Sequence, residues 1–305
     1  MSVSYANLAH LLAEPDATGE ELFEAAGELR DSFVRSEHLI GLLPEDAPGV
    51  LVAGLERAGA AGVVDAWLEL GRLLAHGAAP WAPYPPRDVD ASVEAYRRAD
   101  LAGSVLGALG WIRVAYFARS AAHADVAARR LDELVATRHD DPEVLLLAGY
   151  LRHQGYGHPA DPVAAVRYQL AAAERGSAAA AFELSVLYAT GSGVEADQEE
   201  ALRWTARAAE LGSARGMANL AGMYATGRGV PQEPETALAW YDKAAAAGHA
   251  KSAYTAGVMC LIGDGGLAVD ADRAGGYFAQ AESLGFDVDG ALESMGLNRE
   301  GAIPS

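Results

Sequence analysis

The side chains best suited to metal binding or redox chemistry are scattered along this chain instead of being grouped in motifs. There are eight histidines and a single cysteine, Cys260. The runs His123-Ala124-Asp125 and His139-Asp140-Asp141 place possible ligands side by side. Neither run has the spacing of a zinc or metalloprotease motif, and such polar residues are far commoner as ordinary loop residues. The sequence therefore predicts no metal site.

Nucleophile and cofactor motifs give the same answer. The chain contains no G-x-S-x-G, phosphate-binding loop or dinucleotide fingerprint. Gly191-Ser192-Gly193 and Gly227-Arg228-Gly229 resemble phosphate-binding loops when each is read alone. They recur at the same place in a repeat, so we interpret them as the corners of helix hairpins. Nothing selects one acid–base pair from the 42 acidic residues. We therefore predict no catalytic residue and no cofactor.

The net charge restricts the class of partner. The formal charge at pH 7 is −19. Nucleic acid and anionic lipid both need basic side chains to neutralise phosphate, so we expect neither as a partner. The charge is compatible with a basic partner, and equally with a well-solvated surface that keeps the chain in solution.

The composition also bears on the compartment. A lone Cys260 cannot form an intramolecular disulfide. No apolar run approaches the ~18–20 residues of a membrane span. Acidic residues as early as Glu14 and Asp16 do not fit a secretory signal. We expect a cytoplasmic location, with no contact with a membrane.

The elements that position these side chains belong to an internal repeat. Tyr188-Ala189-Thr190-Gly191 recurs thirty-six residues later as Tyr224-Ala225-Thr226-Gly227. Trp204 recurs at the same shift as Trp240. Repetition at a period of roughly 20–50 residues is typical of solenoids and related arrays. The chain is therefore predicted to be an array of similar units.

Each repeat is predicted to form two helices joined by a glycine-bearing turn. Glycine at such a turn supplies backbone angles that other residues resist. Asp197 and Glu233 precede the second helices of two repeats, where a carboxylate can accept hydrogen bonds from free backbone N–H groups. Small alanines would let neighbouring helices approach closely, with Trp204 and Trp240 as large side chains filling the space between hairpins.

These residues resemble the Sel-one-like repeat family, a relative of the tetratricopeptide repeats. Ala214–Gly248 fits the family pattern through its Leu, Tyr, Gly, Val, Ala and Trp positions, and departs from it at Gly216 and Ala221. The resemblance implies an all-α fold, a right-handed superhelical solenoid of antiparallel helix pairs. It also implies that the protein acts as an adaptor for protein assembly, as most members of the family do. Some secreted relatives staple each repeat with a disulfide, which this chain cannot do.

The same register divides the chain. We expect residues 1–62 to be either a helical cap of degenerate hairpins or a small separate module. Residues 288–305 are expected to form a capping helix, Val288–Leu297, and a frayed tail. One unit, 104–140, lacks the glycine turn and should have a rebuilt corner. The predicted repeats between these ends are 63–103, 104–140, 141–177, 178–213, 214–250 and 251–287.

Two local signals near the N-terminus refine this division. Thr18 and Glu21 have the spacing of a capping box that opens a helix. A proline-rich loop contains Trp81 and Tyr84. These aromatics either fold back over adjacent hairpins or serve as an extended recognition element.

Function is expected on the groove lined by the first helix of every pair. Fixed offsets from the Leu-Gly pair of each repeat select aromatic and polar side chains, a combination suited to a peptide or protein contact. Trp111 has an alternative reading, in which it repairs packing in a degenerate repeat. The alternative function is a small-molecule binder or hydrolase that uses Arg72, His76 and His153. The predicted partner-binding residues are Glu69, Arg72, His76, Trp111, Tyr150, His153, Phe182, Glu183, Asn219 and Tyr254.

Overall fold

Helices dominate this computed structural model, which describes residues 3–35, 46–76, 86–299 and 301–302. Helical residues make up 76% of that described part. Within each of the two units described below, consecutive helices pack on one another, as expected of an all-α solenoid of helix pairs. The all-α prediction is confirmed. Within the described ranges, no helix is both long enough and apolar enough to cross a bilayer.

The chain divides into two compact units. The first contains residues 1–139 with 155–159, and the second contains 140–154 with 160–305. The helices of the first unit are α1 Val3–Ala13, α2 Gly19–Arg35, α3 Ala47–Ala60, α4 Val64–His76, α5 Val89–Leu101, α6 Val105–Phe117 and α7 Ala124–Thr137. Those of the second are α8 Pro142–Gln154, α9 Pro162–Glu174, α10 Ala178–Thr190, α11 Gln198–Glu210, α12 Ala214–Thr226, α13 Pro234–Ala246, α14 Ala250–Ile262, α15 Ala271–Ser283 and α16 Val288–Ser294.

The N-terminal helices share a hydrophobic core with the first helix pair. Leu8, Leu29 and Leu55 belong to the same buried cluster as Trp67 and Leu70 of α4. The residues before and after residue 62 therefore share one hydrophobic core. The predicted capping box is confirmed: Glu21 N donates to Thr18 Oγ1 at 3.2 Å, and Thr18 N donates to Glu21 Oε2 at 2.8 Å.

The corner between α6 and α7 differs from the glycine turns of the other repeats. Arg119 has a positive φ of 55°, and a 3-10 turn spans Ala121–His123. The Tyr156 hydroxyl donates to the Ser120 carbonyl oxygen at 2.7 Å. A rebuilt corner at this place was expected, because no glycine was available for the usual turn.

The second unit repeats one local design. The first helices α10 and α12 end at Gly191 and Gly227, whose φ angles of 72° and 71° lie in the left-handed region. Glycine carries no Cβ, so this conformation costs it little. Ser177 and Ser213 begin the same two helices, and their hydroxyls accept backbone N–H hydrogen bonds. These local devices explain why the helix boundaries recur every thirty-six residues.

The second helices are capped less uniformly than predicted. Asp197 accepts from the N–H groups of Glu199 and Glu200, as expected. Glu233 does not cap the backbone; its carboxylate instead accepts from Thr236 Oγ1 at 2.8 Å. The longer glutamate side chain is a poorer N-cap than aspartate, since its oxygen lies farther from its own backbone.

The two repeat tryptophans are not the buried side chains that the sequence predicted. Trp204 and Trp240 are both only partly buried. The Trp240 ring lies under Lys243, whose Nζ is 4.0 Å from the ring centroid. On the same helix, Leu238 is 1% exposed. The tightest packing here involves alanines and Leu238, because small residues let the helices approach too closely for an indole to lie between them.

Beyond the last helix, residues 297–299 and 301–302 of the predicted tail are described, and they include two short strands. Helix α16 ends at Ser294, earlier than predicted, and Leu297–Asn298 (β1) pairs antiparallel with Gly301–Ala302 (β2). Arg299 donates from Nε to Asp289 at 2.7 Å and from its terminal nitrogen to Glu282. These ion pairs join the segment at Arg299 to α15 and α16.

Candidate functional site

The predicted partner-binding residues fall into two groups, one in each unit. Glu69, Arg72, His76 and Trp111 belong to the first unit. The remaining predicted residues belong to the second, and they are Tyr150, His153, Phe182, Glu183, Asn219 and Tyr254. Each group is therefore described within its own unit.

Glu69 lies at the centre of an ion-pair network on α4. It accepts from Arg72 Nη2 at 2.7 Å and from Arg30 Nη1 at 2.9 Å. Burial opposes ionisation of Glu69, but the hydrogen bonds from Arg72 and Arg30 outweigh it and lower its pKa. The carboxylate is thus charged at neutral pH, and two arginines of the same unit pair with it.

His76 is exposed at the C-terminal end of α4. Its Nδ1 lies 2.8 Å from the carbonyl oxygen of Arg72. The loop that follows contains Trp81 and Tyr84, which lie outside the described residues. The two readings of that loop therefore stay predictions.

Trp111 is a core residue, which corrects the expectation that it faces an open groove. Its side chain is 2% exposed, and its Nε1 donates to Asp100 Oδ2 at 3.0 Å. Asp100 is held in turn by Arg130, at 2.5 Å from Nη2 to Oδ1. The bulky indole fills the interior of the degenerate unit, so packing against α5 buries it.

Tyr254 is also a packing residue, contrary to the prediction. It is 8% exposed, and its ring centroid lies 4.9 Å from that of Phe286 and 6.2 Å from that of Phe278. Its hydroxyl donates to Met295 Sδ at 3.2 Å. Phe278 of the paired helix α15, Phe286 and Met295 cover this position, which is why it differs from the same position in earlier repeats.

Polar side chains of α8 and α10 are brought together in the second unit. The Tyr150 hydroxyl donates to Glu183 Oε1 at 3.2 Å. His153 Nε2 lies 2.9 Å from Ser192 Oγ, and its Nδ1 lies 3.0 Å from Gln154 Nε2. Burial raises the pKa of Glu183, opposed by the hydrogen bond from Tyr150. Two successive first helices thus share one polar surface.

The second unit also contains an open pocket of about 380 Å³. Three first helices, α10, α12 and α14, contribute side chains to it, together with α13 and the turn before α14. Phe182 and Asn219 were predicted site residues, whereas the other side chains were not in the predicted set. The lining residues are Phe182, Arg215, Ala218, Asn219, Tyr241, His249, Lys251, Ser252 and Thr255.

The pocket combines aromatic and cationic groups, and we call it the repeat pocket. The Arg215 guanidinium carbon lies 5.3 Å from the centroid of the Phe182 ring. His249 Nδ1 lies 2.8 Å from Ser252 Oγ. Burial lowers the pKa of His249, and the charges of Arg215 and Lys251 lower it further, so this imidazole is neutral at pH 7. Burial raises the pKa of Tyr241.

Arg215 and Lys251 were missed although a signal for them was present. They stand thirty-six residues apart, so they occupy the same position in successive repeats. Offsets from the Leu-Gly pair select positions in the middle of each first helix, whereas both cations lie in the first turn of their helices.

Metal binding finds no support in the part of the chain that the structure describes. In those residues there is no group of three or more His, Cys, Asp or Glu side chains that could hold an ion. Cys260 is buried in the core of the second unit, and burial raises its thiol pKa.

Comparisons with known proteins identify the repeats. The family model described as the Sel1 repeat matches residues 142–177, 178–213, 214–249 and 250–286. These bounds agree with the predicted units to within one residue. The predicted units 63–103 and 104–140 lie outside the matched residues, and each contains a helix pair. A search of curated proteins found no match.

Two solved structures are similar to this chain. A Sel1 repeat protein from Oxalobacter formigenes is 25% identical, with a TM-score of 0.59, over 96% of this chain and 85% of that chain. The protective antigen c5321 of uropathogenic Escherichia coli, which displays an SLR fold, is 21% identical with a TM-score of 0.51. That match covers 91% of this chain and 59% of the antigen, and it shows the fold alone.

Proteins built from these repeats are generally interaction scaffolds and are typically non-catalytic. The thirty-six-residue period, the helix pairs of the second unit and the family match all agree. Residues 142–286 are therefore four Sel1 repeats.

Proposed function

We propose that this chain is a non-catalytic adaptor that holds a partner protein or peptide on the first helices of its repeats. The observation that carries the proposal is the repeat pocket, which three successive first helices build together. A partner lying across such a surface would contact several repeats at once. The pocket is open, which suits an extended chain better than a small molecule that must be enclosed.

The proposed contact residues in the second unit lie in and beside the repeat pocket. Phe182 and Tyr241 offer aromatic surface, and rigid aromatic side chains are frequent interface anchors. Asn219 is exposed at the pocket and offers an amide. Tyr150, His153 and Glu183 extend the same surface toward α8. On the first unit, Glu69, Arg72 and His76 remain proposed contacts of the first helix α4.

The alternative function is hydrolysis, and one contact favours it. His153 Nε2 and Ser192 Oγ are 2.9 Å apart, as in a nucleophile and its base. However, Nδ1 of His153 faces the neutral amide of Gln154, and the Glu183 carboxylate is hydrogen-bonded to Tyr150. A neutral amide does not stabilise a developing imidazolium as a carboxylate does. The scaffold is therefore the function that the geometry supports best.

A capture experiment tests the scaffold. The full chain, immobilised, is incubated with native lysate, and retained proteins are compared among the wild type, Phe182→Ala and Tyr241→Ala. Val163→Ala on α9 is the matched control, because Val163 is an exposed apolar residue of a second helix. We expect the two pocket variants to lose a retained protein that the wild type and Val163→Ala both keep. Equal retention by all four proteins would contradict the proposal.

A second assay tests the alternative. Ester hydrolysis is followed with a nitrophenyl ester for the wild type, His153→Ala and Ser192→Ala. We expect the same rate for all three proteins, since no carboxylate of a described residue accepts from Nδ1 of His153, the histidine beside Ser192. Activity that disappears in both variants would favour the hydrolase instead.

A further inference from the structure

Two cations occupy equivalent positions in neighbouring repeats and line one pocket. Arg215 is the second residue of α12, and Lys251 is the second residue of α14. Both line the repeat pocket, together with His249, which precedes α14. The equivalent residue of the preceding repeat is Ala179, so the charge is concentrated on the last two repeats.

Among the residues that the structure describes, no carboxylate forms an ion pair with either cation. Neither Arg215 nor Lys251 has a carboxylate of a described residue within 4.0 Å. By contrast, Arg203 and Arg207 of α11 both form ion pairs with glutamates of their own helix. Glu183 acts on Arg215 electrostatically, but it is one carboxylate beside two cations and is not itself a lining residue of the pocket. The pocket therefore carries local positive charge on a chain whose net charge is −19.

The surroundings of the two cations add aromatic and polar groups to the pocket. Arg215 lies over the Phe182 ring, a contact that orders a guanidinium without neutralising it. Asn219 and Thr255 add neutral hydrogen-bonding groups to the same pocket. Both cations also lie in the first turn of a helix, where the backbone dipole adds positive potential. Charge, aromatic surface and hydrogen-bonding groups thus converge on one site.

We propose that the repeat pocket binds an acidic segment of the partner polypeptide, whose aspartate or glutamate carboxylates pair with Arg215 and Lys251. The inference rests on the proposed adaptor function and specifies the chemistry of its partner. Charge complementarity is the argument for an acidic occupant. The negative net charge of the whole chain would indicate a basic partner, whereas the pocket indicates an acidic one. Salt screens distant charges, so the charges close to the bound segment decide its affinity.

A peptide is the occupant that fits the pocket's composition. A phosphate group alone would leave the Phe182 and Tyr241 surfaces uncovered. An acidic segment offers carboxylates for the two cations and aliphatic side chains for the two aromatic rings. The volume of about 380 Å³ accommodates a few side chains of such a segment.

The test compares three labelled peptides of equal length, binding to the full chain by fluorescence polarisation. The peptides alternate leucine with glutamate, with glutamine or with lysine. We expect the glutamate peptide to bind about tenfold more tightly than the glutamine peptide, a difference that each well-placed charge pair can supply. Its affinity should fall as salt is raised, because the pocket is open to solvent.

Charge-neutral variants locate the binding. The combined variant Arg215→Gln and Lys251→Gln should bind the glutamate peptide about tenfold more weakly than the wild type. The matched control is Arg207→Gln, which removes one exposed cation from a second helix and should bind as the wild type does. Circular dichroism should show both variants folded, because all three replaced side chains are exposed.

Several outcomes would overturn the inference. One is equal binding of the glutamate and glutamine peptides, and another is an equal effect of the pocket and control variants. A third is loss of the glutamate peptide when phosphate replaces chloride at constant ionic strength, which would indicate a phosphate site. If any of these occurs while Phe182→Ala still abolishes capture from lysate, only the acidic chemistry is wrong. If Phe182→Ala leaves capture intact, the adaptor proposal itself fails.

Discussion

Gly257 of α14 leaves the space that the Phe278 ring of α15 occupies. A Cβ built on Gly257 would lie 2.5 Å from Cε1 of Phe278, which is closer than van der Waals contact allows. Phe278 is 1% exposed, so its ring has little room to move. Gly71 and Tyr96 have the same relationship in the first unit, at 2.6 Å. The glycine of the repeat motif thus lets an aromatic ring of the paired helix approach the backbone.

Gly257→Ala should therefore destabilise the chain. The added methyl group forces the Phe278 ring or the helix backbone to shift, and overpacking of this kind costs about 1–3 kcal/mol. The measurement is the free energy of unfolding from urea denaturation. Gly275→Ala is the control, since no atom lies within 4 Å of a Cβ built at that exposed helical position. There the substitution should stabilise by about 0.5–1 kcal/mol, and a loss at both positions would contradict the packing argument.

Replacing Leu238 by alanine should destabilise the chain more than replacing the larger Trp240. Leu238→Ala leaves a cavity in the core and should cost about 2–5 kcal/mol. Trp240→Ala removes a partly exposed ring and its contact with Lys243, which should cost about 1–2 kcal/mol. Denaturant titrations of both variants give the comparison. A larger loss for Trp240→Ala would show that the indole lies between hairpins after all.

Trp111→Ala should act on stability and not on partner binding. The substitution empties a buried site and removes a hydrogen bond to Asp100, at a cost of about 3–5 kcal/mol. Leu101→Ala, which removes a side chain that is 88% exposed, should change stability by less than about 0.5 kcal/mol. Thermal unfolding measures both. If Trp111→Ala kept wild-type stability and lost the partner, Trp111 would be an interface residue.

Glu183 and Glu69 should give opposite pH dependences. Burial raises the folded-state pKa of Glu183, so folding favours its protonated form and the group becomes unfavourable as pH rises through that pKa. Glu183→Gln should therefore stabilise at neutral pH, and the gain should shrink in acid, where the wild-type carboxyl is protonated. The amide oxygen of glutamine can still accept from Tyr150.

For Glu69 the sign is reversed. Hydrogen bonds from Arg72 and Arg30 lower its folded-state pKa despite burial, so its contribution to stability exists above the unfolded pKa and is lost as pH falls. Glu69→Gln should destabilise at neutral pH and have little effect in strong acid. Urea denaturation of both variants over a pH series is the measurement. Parallel pH profiles for the two variants would refute this assignment.

The repeats and several helix ends could be predicted because their causes are local in the chain. The capping box at Thr18, the N-cap at Asp197 and the glycine turns at Gly191 and Gly227 each act within a few residues. Such short-range hydrogen bonds and backbone preferences depend on the types of a few neighbouring residues. Where the local chemistry was weaker, as at Glu233, the prediction of a cap was wrong.

The exposure of individual side chains depends instead on what the folded chain places over them. Trp111 and Tyr254 hold predicted groove positions, yet α5 covers one and Phe286 covers the other. Arg215 and Lys251 are thirty-six residues apart and meet in one pocket only because two repeats stack. Burial and local charge are sums over neighbours that are distant in sequence, and so they arise only when the helices pack.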